Sequence, residues 1–122
     1  GYWLVGADGG VYAFGSARFY GNTYTAGLTG LSGPHPLAAP IVSIVPTASG
    51  QGYWLVGKDG GVYAFGDAQY QGSVPGLPST EQPPAGAAAV GLVPSGNGYE
   101  VATTDGWVAA FGPVTKEDPA SV

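Results

Sequence analysis

Cysteine and methionine are absent from the 122 residues, and histidine occurs once. Without thiols there is no disulfide framework and no thiolate metal site. The single imidazole, His35, lies in a Gly33-Pro34-His35-Pro36 stretch. A general base needs a partner in reach and a metal site needs several ligands, so His35 reads as an exposed loop residue. Cations are almost as scarce: Arg18, Lys58 and Lys116 stand against eight acidic residues, for a net charge of -5. Three scattered cations cannot build a phosphate-binding surface, which excludes nucleic acid as a partner. Nor can they hold an anionic membrane surface. No apolar run approaches the ~20 residues that cross a bilayer as a helix, so membrane insertion is not expected.

Glycine (23) and proline (11), by contrast, make up more than a quarter of the chain. Such a fraction without periodicity signals disorder. Here hydrophobic residues reach 44% and aromatics 12%, more than a disordered chain carries. Glycine and proline must then punctuate many short packed segments, and an all-β chain is expected. The chain opens inside a pattern, at Gly1-Tyr2-Trp3, and has no Met, as expected of a piece of a longer product.

That pattern is an internal repeat. Residues 1–15 read GYWLVGADGGVYAFG and residues 52–66 read GYWLVGKDGGVYAFG, differing only at Ala7 and Lys58. A looser copy, GYEVATTDGWVAAFG, fills residues 98–112. The first two copies continue alike, SARFYGN and DAQYQGS, and the later two follow β-rich runs, PIVSIVPT and AVGLVPS. One unit predicts four short strands, near residues 41–45, 53–57, 62–65 and 69–71. The dipeptides Asp8-Gly9, Asp59-Gly60 and Asp105-Gly106 predict two-residue type I′ turns, which need positive φ at both positions. Four antiparallel strands in some fifty residues match one β-propeller blade.

The GYWLV, DGGVYAFG and following Ala, Tyr and Gly positions resemble the tandem repeat of secreted actinobacterial proteins. The resemblance covers nearly the whole chain through Gly112. It implies propeller-type blades, a secreted or cell-surface setting and a non-catalytic module, with no established ligand and no cofactor. The expected organisation is one repeat domain, with blades at 1–23, 40–74 and 88–112 and a polar tail at 113–122. Ten strands, or two and a half blades, cannot close a ring of the usual 4–8. Other chains, or the remainder of a parent chain, are therefore expected as partners. A β-trefoil is the alternative fold, since it too uses three internal repeats.

With a two-residue turn, Trp3 faces Phe14, and one side of the first hairpin carries Trp3, Val5, Tyr12 and Phe14. The other side carries Tyr2, Leu4, Val11 and Ala13. Both are apolar, as a sheet covered on two sides requires. In the last copy Glu100 stands in the tryptophan position. Burying an unpaired carboxylate is costly. Glu100 therefore marks a terminal face, capping the stack or meeting another subunit, with Leu4 and Val11 on the opposite end face.

Candidate chemistry is sparse. No nucleophile elbow with its partners is present, and no glycine-rich loop precedes a helix, so enzymatic activity is not expected. Asp8, Asp59 and Asp105 recur, but calcium needs several oxygens from one loop, so turn formation is the better account. Tyr2, Trp3, Tyr53 and Trp54 suit either stacking against sugar rings or packing between blades. Trp107 replaces the Gly10 and Gly61 of the other copies, a position expected to be exposed and available for contact. Two functions follow as expectations. One is a binding module for glycan or cell-surface material held between blades. The other is a structural protein whose incomplete blades are completed by other chains.

Overall fold

The computed structural model describes residues 1–77, 86–95 and 98–112. The tail at 113–122, residues 78–85 between the second and third expected blades, and residues 96–97 lie outside the described residues. The described residues form an all-β structure of eight strands. These are β1 (Tyr2–Val5), β2 (Val11–Phe14), β3 (Ile41–Pro46), β4 (Gly52–Gly57), β5 (Val62–Gly66), β6 (Ala89–Ser95), β7 (Gly98–Thr103) and β8 (Val108–Phe111). They pair antiparallel into sheets β1-β2, β3-β4-β5 and β6-β7-β8, here sheets one, two and three. No barrel closes.

The expected fourth strand is absent: residues 16–22 and 67–73 carry no strand. Gly66 and Gly72 take positive φ (67° and 129°) and bend the chain off a strand path. Two main-chain groups between them go to side chains of the sheets instead. The Gln69 carbonyl accepts from the Trp54 indole at 2.9 Å, and the Gln71 N–H donates to the Tyr99 hydroxyl at 2.9 Å. This strip serves the contact between sheets.

The hairpin register also differs from expectation. Tyr2 pairs with Phe14, Trp3 with Ala13, Leu4 with Tyr12 and Val5 with Val11. The reason is the turn. The Gly6 N–H donates to the Gly10 carbonyl (2.8 Å) and the Gly9 N–H to the Gly6 carbonyl (2.9 Å), closing a three-residue loop. Gly9 has φ 89°, whereas no residue other than glycine has positive φ among the described residues. This is a type I turn followed by a left-handed glycine, with Asp8 Oδ1 accepting from the Gly10 N–H at 2.9 Å. Asp59-Gly60 and Asp105-Gly106 repeat the arrangement.

One residue of slip exchanges the faces of the second strand. Tyr2, Leu4, Tyr12 and Phe14 share one side of sheet one, and Trp3, Val5, Val11 and Ala13 share the other. Val11 is therefore not on an end face. It is buried, and it packs in one cluster with Tyr53 and Leu55 of sheet two.

The sheets stack in one sense. The tryptophan side of sheet one meets the Tyr53–Leu55–Tyr63–Phe65 side of sheet two. The tryptophan side of sheet two (Trp54, Val56, Val62) meets the Tyr99–Val101–Phe111 side of sheet three. β4 is buried along its whole length. Backbone bonds tie neighbouring sheets at their turns: the Ile41 N–H donates to the Ala7 carbonyl and the Ala89 N–H to the Lys58 carbonyl, each at 2.8 Å. Val74 and Leu37 are buried and Leu28 and Leu77 half-buried, fastening the segments that join the sheets, whereas Leu31 is exposed.

Candidate functional site

Six residues build each contact between sheets, and the repeat sets all of their positions. In the first contact the Trp3 indole donates to the Arg18 carbonyl of its own unit (2.7 Å). That bond turns the ring edge-on to Tyr53, with centroids 5.5 Å apart at 61°. The Tyr53 hydroxyl accepts from the Tyr20 N–H (3.0 Å) and donates to the Gly21 carbonyl (2.5 Å). Phe65 tilts against Tyr53 at 5.9 Å. Gly21 is pressed on that ring: a β-carbon there would sit 3.0 Å from the Phe65 edge.

The second contact reproduces the first almost to the ångström, although the third copy is the most diverged in sequence. Trp54 and Tyr99 stand 5.6 Å apart at 63°. The Tyr99 hydroxyl accepts from the Gln71 N–H (2.9 Å) and donates to the Gly72 carbonyl (2.5 Å). Tyr99 also tilts against Phe111 at 5.8 Å. Burial pushes the Tyr53 and Tyr99 hydroxyls above their ordinary pKa of 10.0, against the opposing pull of their backbone partners. Both phenols are therefore neutral donors throughout the physiological range.

The nominated residues separate sharply. Tyr53 is fully buried, Trp54 nearly so, and Trp3 half-buried. Trp107, expected in solvent, is half-buried against the core between sheets two and three. Tyr2 alone of the five is exposed, at 59%. With it Leu4 (54%), Tyr12 (56%) and Phe14 (41%) form an exposed apolar face of three rings and a leucine. This face corresponds, position by position, to the buried tyrosine sides of sheets two and three. Tyr2 lies flat on Phe14, with centroids 5.0 Å apart and planes 19° apart, rather than tilted as in the two contacts.

At the other end, Glu100 lies on the outer side of sheet three with Ala102, Val108 and Ala110. Trp3 and Trp54 occupy that position in the earlier sheets. Exposed Val90 and Val93 lie on the neighbouring strand, Val93 directly across from Glu100.

Sequence reasoning missed the strips at 16–22 and 67–73 as the receptors of the tyrosine hydroxyls. Their signal was the glycine shared at positions 21 and 72, which follows no turn dipeptide.

The polar features are local. Asp67 accepts from the Thr47 hydroxyl (2.7 Å) and from Ser49, pinning the β3-β4 turn. An open groove of about 660 Å³ between sheets one and two is lined by Arg18, Tyr20, Gln51, Gly66 and Asp67. His35 is exposed, and only its backbone is bonded, to Thr29. Among the described residues no three His, Asp or Glu side chains group as a metal site would need. No helix among them is long and apolar enough to cross a membrane. No protein-family model, curated protein or solved structure matches the chain.

Proposed function

We propose that this chain is a non-catalytic, extracellular structural module of propeller-blade type, which works by stacking sheet on sheet. The observation that carries the reading is the recurrence of one contact, tryptophan edge on tyrosine at 5.5 and 5.6 Å, between sheets one and two and again between two and three. Of the five aromatic residues that a sugar would have stacked on, Trp3, Tyr53 and Trp54 are spent on this contact. Three sheets fall short of a closed ring, so further sheets from outside these residues complete the stack.

The test is removal of single hydroxyls. Tyr53→Phe and Tyr99→Phe each strand an N–H and a carbonyl that are wholly or partly buried, costing about 1–3 kcal/mol in urea unfolding. Tyr2→Phe, on the open face, stays within about 0.5 kcal/mol. Were all three equally silent, the stacking contact would not be what holds the module together.

A second reading, glycan recognition between blades, is favoured by the groove beside Arg18 and Asp67. A guanidinium, an amide, a carboxylate and a phenol there suit sugar hydroxyls and a ring face. Its residues are Arg18, Tyr20, Gln51 and Asp67. On a glycan array this reading expects a signal that Arg18→Ala abolishes, and a blank array rejects it.

A further inference from the structure

Sheet one presents the tyrosine side of the repeat contact exposed, with no other sheet among the described residues packed on it. The same side of sheet two is covered by Trp3 and by the Tyr20–Gly21 backbone, and that of sheet three by Trp54 and the Gln71–Gly72 backbone. What covers a face of this design is thus seen twice in the molecule. It is an indole held edge-on, and a glycine-containing strip offering one N–H and one carbonyl to the tyrosine hydroxyl. An exposed apolar surface of three rings and a leucine marks an interaction site.

A second copy of the chain is badly equipped to supply that cover. The only side it could bring in the same sense is the outer side of sheet three, where Glu100 replaces the tryptophan. Stacking would set a carboxylate against Tyr2, Leu4, Tyr12 and Phe14 in the place where both existing contacts put an indole, and a carboxylate supplies neither the ring edge nor the N–H that anchors it.

We propose that the Tyr2–Leu4–Tyr12–Phe14 face docks the tryptophan-bearing side of a further sheet of the same repeat type, and that Glu100 keeps the third sheet of a second copy from serving as that sheet. The partner is recognised by its chemistry: a GYW-type hairpin, followed some eighteen residues after its tryptophan by a glycine whose carbonyl accepts from Tyr2. This rests on the stacking reading above.

The experiment adds such a sheet. A copy of residues 1–51 is joined ahead of the complete chain, so that its tryptophan precedes Tyr2 by the native spacing of 51 residues less one, as Trp3 precedes Tyr53. Tyr2→Phe, silent in the chain alone, is expected to lower the urea midpoint of the extended protein as much as Tyr53→Phe does. Replacing the added copy's tryptophan by alanine is expected to make Tyr2→Phe silent again. If Tyr2→Phe stays silent in the extended protein while Tyr53→Phe and Tyr99→Phe remain costly, the docking proposal fails and the stacking reading stands. If those two are silent as well, the stacking reading itself has failed.

Sedimentation tests the part assigned to Glu100. The unaltered chain is expected to run as one chain, and Glu100→Trp to shift it toward concentration-dependent multimers that Tyr2→Ala disperses. Multimers of the unaltered chain that Tyr2→Ala disperses would make a second copy the occupant and overturn the proposal. A Glu100→Trp protein that stays a single chain would overturn the role of Glu100.

Discussion

The tyrosine hydroxyls and the turn carboxylates are the residues whose protonation matters, and they bracket the pH range of stability from opposite sides. Asp8 is held below the ordinary carboxylate value of 3.8 by the Gly10 N–H and the Tyr24 hydroxyl. Asp67 is lowered by the Ser49 and Thr47 hydroxyls, and Asp105 by the Thr103 hydroxyl. A carboxyl whose folded pKa lies below its unfolded one stabilises the fold above the unfolded value. That contribution is lost as pH falls through 3.8 and below. The buried Tyr53 and Tyr99 phenols are raised instead, so their contribution is complete below pH 10.0 and lost as pH rises beyond it. Urea midpoints should therefore be flat between about pH 5 and 9 and fall on both sides. The acid limb should be shallow, because these carboxylates are largely in water, which screens them. Asp67→Asn should flatten it further without moving the alkaline limb. An acid limb unchanged in Asp67→Asn would mean that the Thr47–Ser49–Asp67 cluster does not tie the turn in solution.

At the scale of the hairpin, composition and spacing made the element type plain, but not its register. Gly9, Gly60 and Gly106 marked the turns, and the apolar runs on either side marked the strands. Asp-Gly, however, serves both a two-residue type I′ turn and the last two positions of a three-residue loop. Only the φ of Asp8 separates them, and a sequence does not display it. The wrong choice misassigned Val11 to an end face and paired Trp3 with Phe14. The fourth strand failed for a related reason. AQYQ has the composition of a weak strand, and only the neighbouring sheet, through the Tyr99 hydroxyl, decides that its backbone is spent elsewhere. What the sequence displays in full is the repeat, and with it the equivalence of Tyr2, Tyr53 and Tyr99. The turn glycines also differ in a way that can be measured. All three have positive φ, 89°, 84° and 86°, which strains any other residue. Gly60 carries a second constraint: a β-carbon there would meet the Val74 side chain at 2.5 Å, whereas at Gly106 nothing lies within 4 Å. Gly106→Ala should cost only the backbone strain, about 1–2 kcal/mol. Gly60→Ala should cost at least about 1 kcal/mol more, since Val74 is buried and must move. Equal costs at the two sites would show that the segment after sheet two does not rest on the hairpin turn.

Across the whole molecule, stability is carried by contacts between neighbours in the stack. Each sheet is small, and a two-stranded sheet such as β1-β2 is marginal by itself. Sheet two is covered on both sides and holds the fully buried Tyr53, Leu55 and Val56, whereas sheets one and three each keep one open side. In a linear array of this kind, local stability follows the number of covered neighbours. Amide exchange should accordingly be slowest in β4, intermediate in β7, and fastest in β1 and β2. Trp3→Ala removes the half-buried indole that joins sheet one to Tyr53, together with its bond to the Arg18 carbonyl. Its effect should be confined: β1-β2 exchanges freely while β4 and β7 keep their protection. Trp54→Ala removes the nearly buried equivalent at the centre of the stack, at about 3–5 kcal/mol. Because its contact bears on both sheets two and three, protection should then fall throughout. If Trp3→Ala instead releases all three sheets together, the molecule folds as one indivisible core. The nearest-neighbour account, on which an added sheet could dock without rebuilding the rest, would then be wrong.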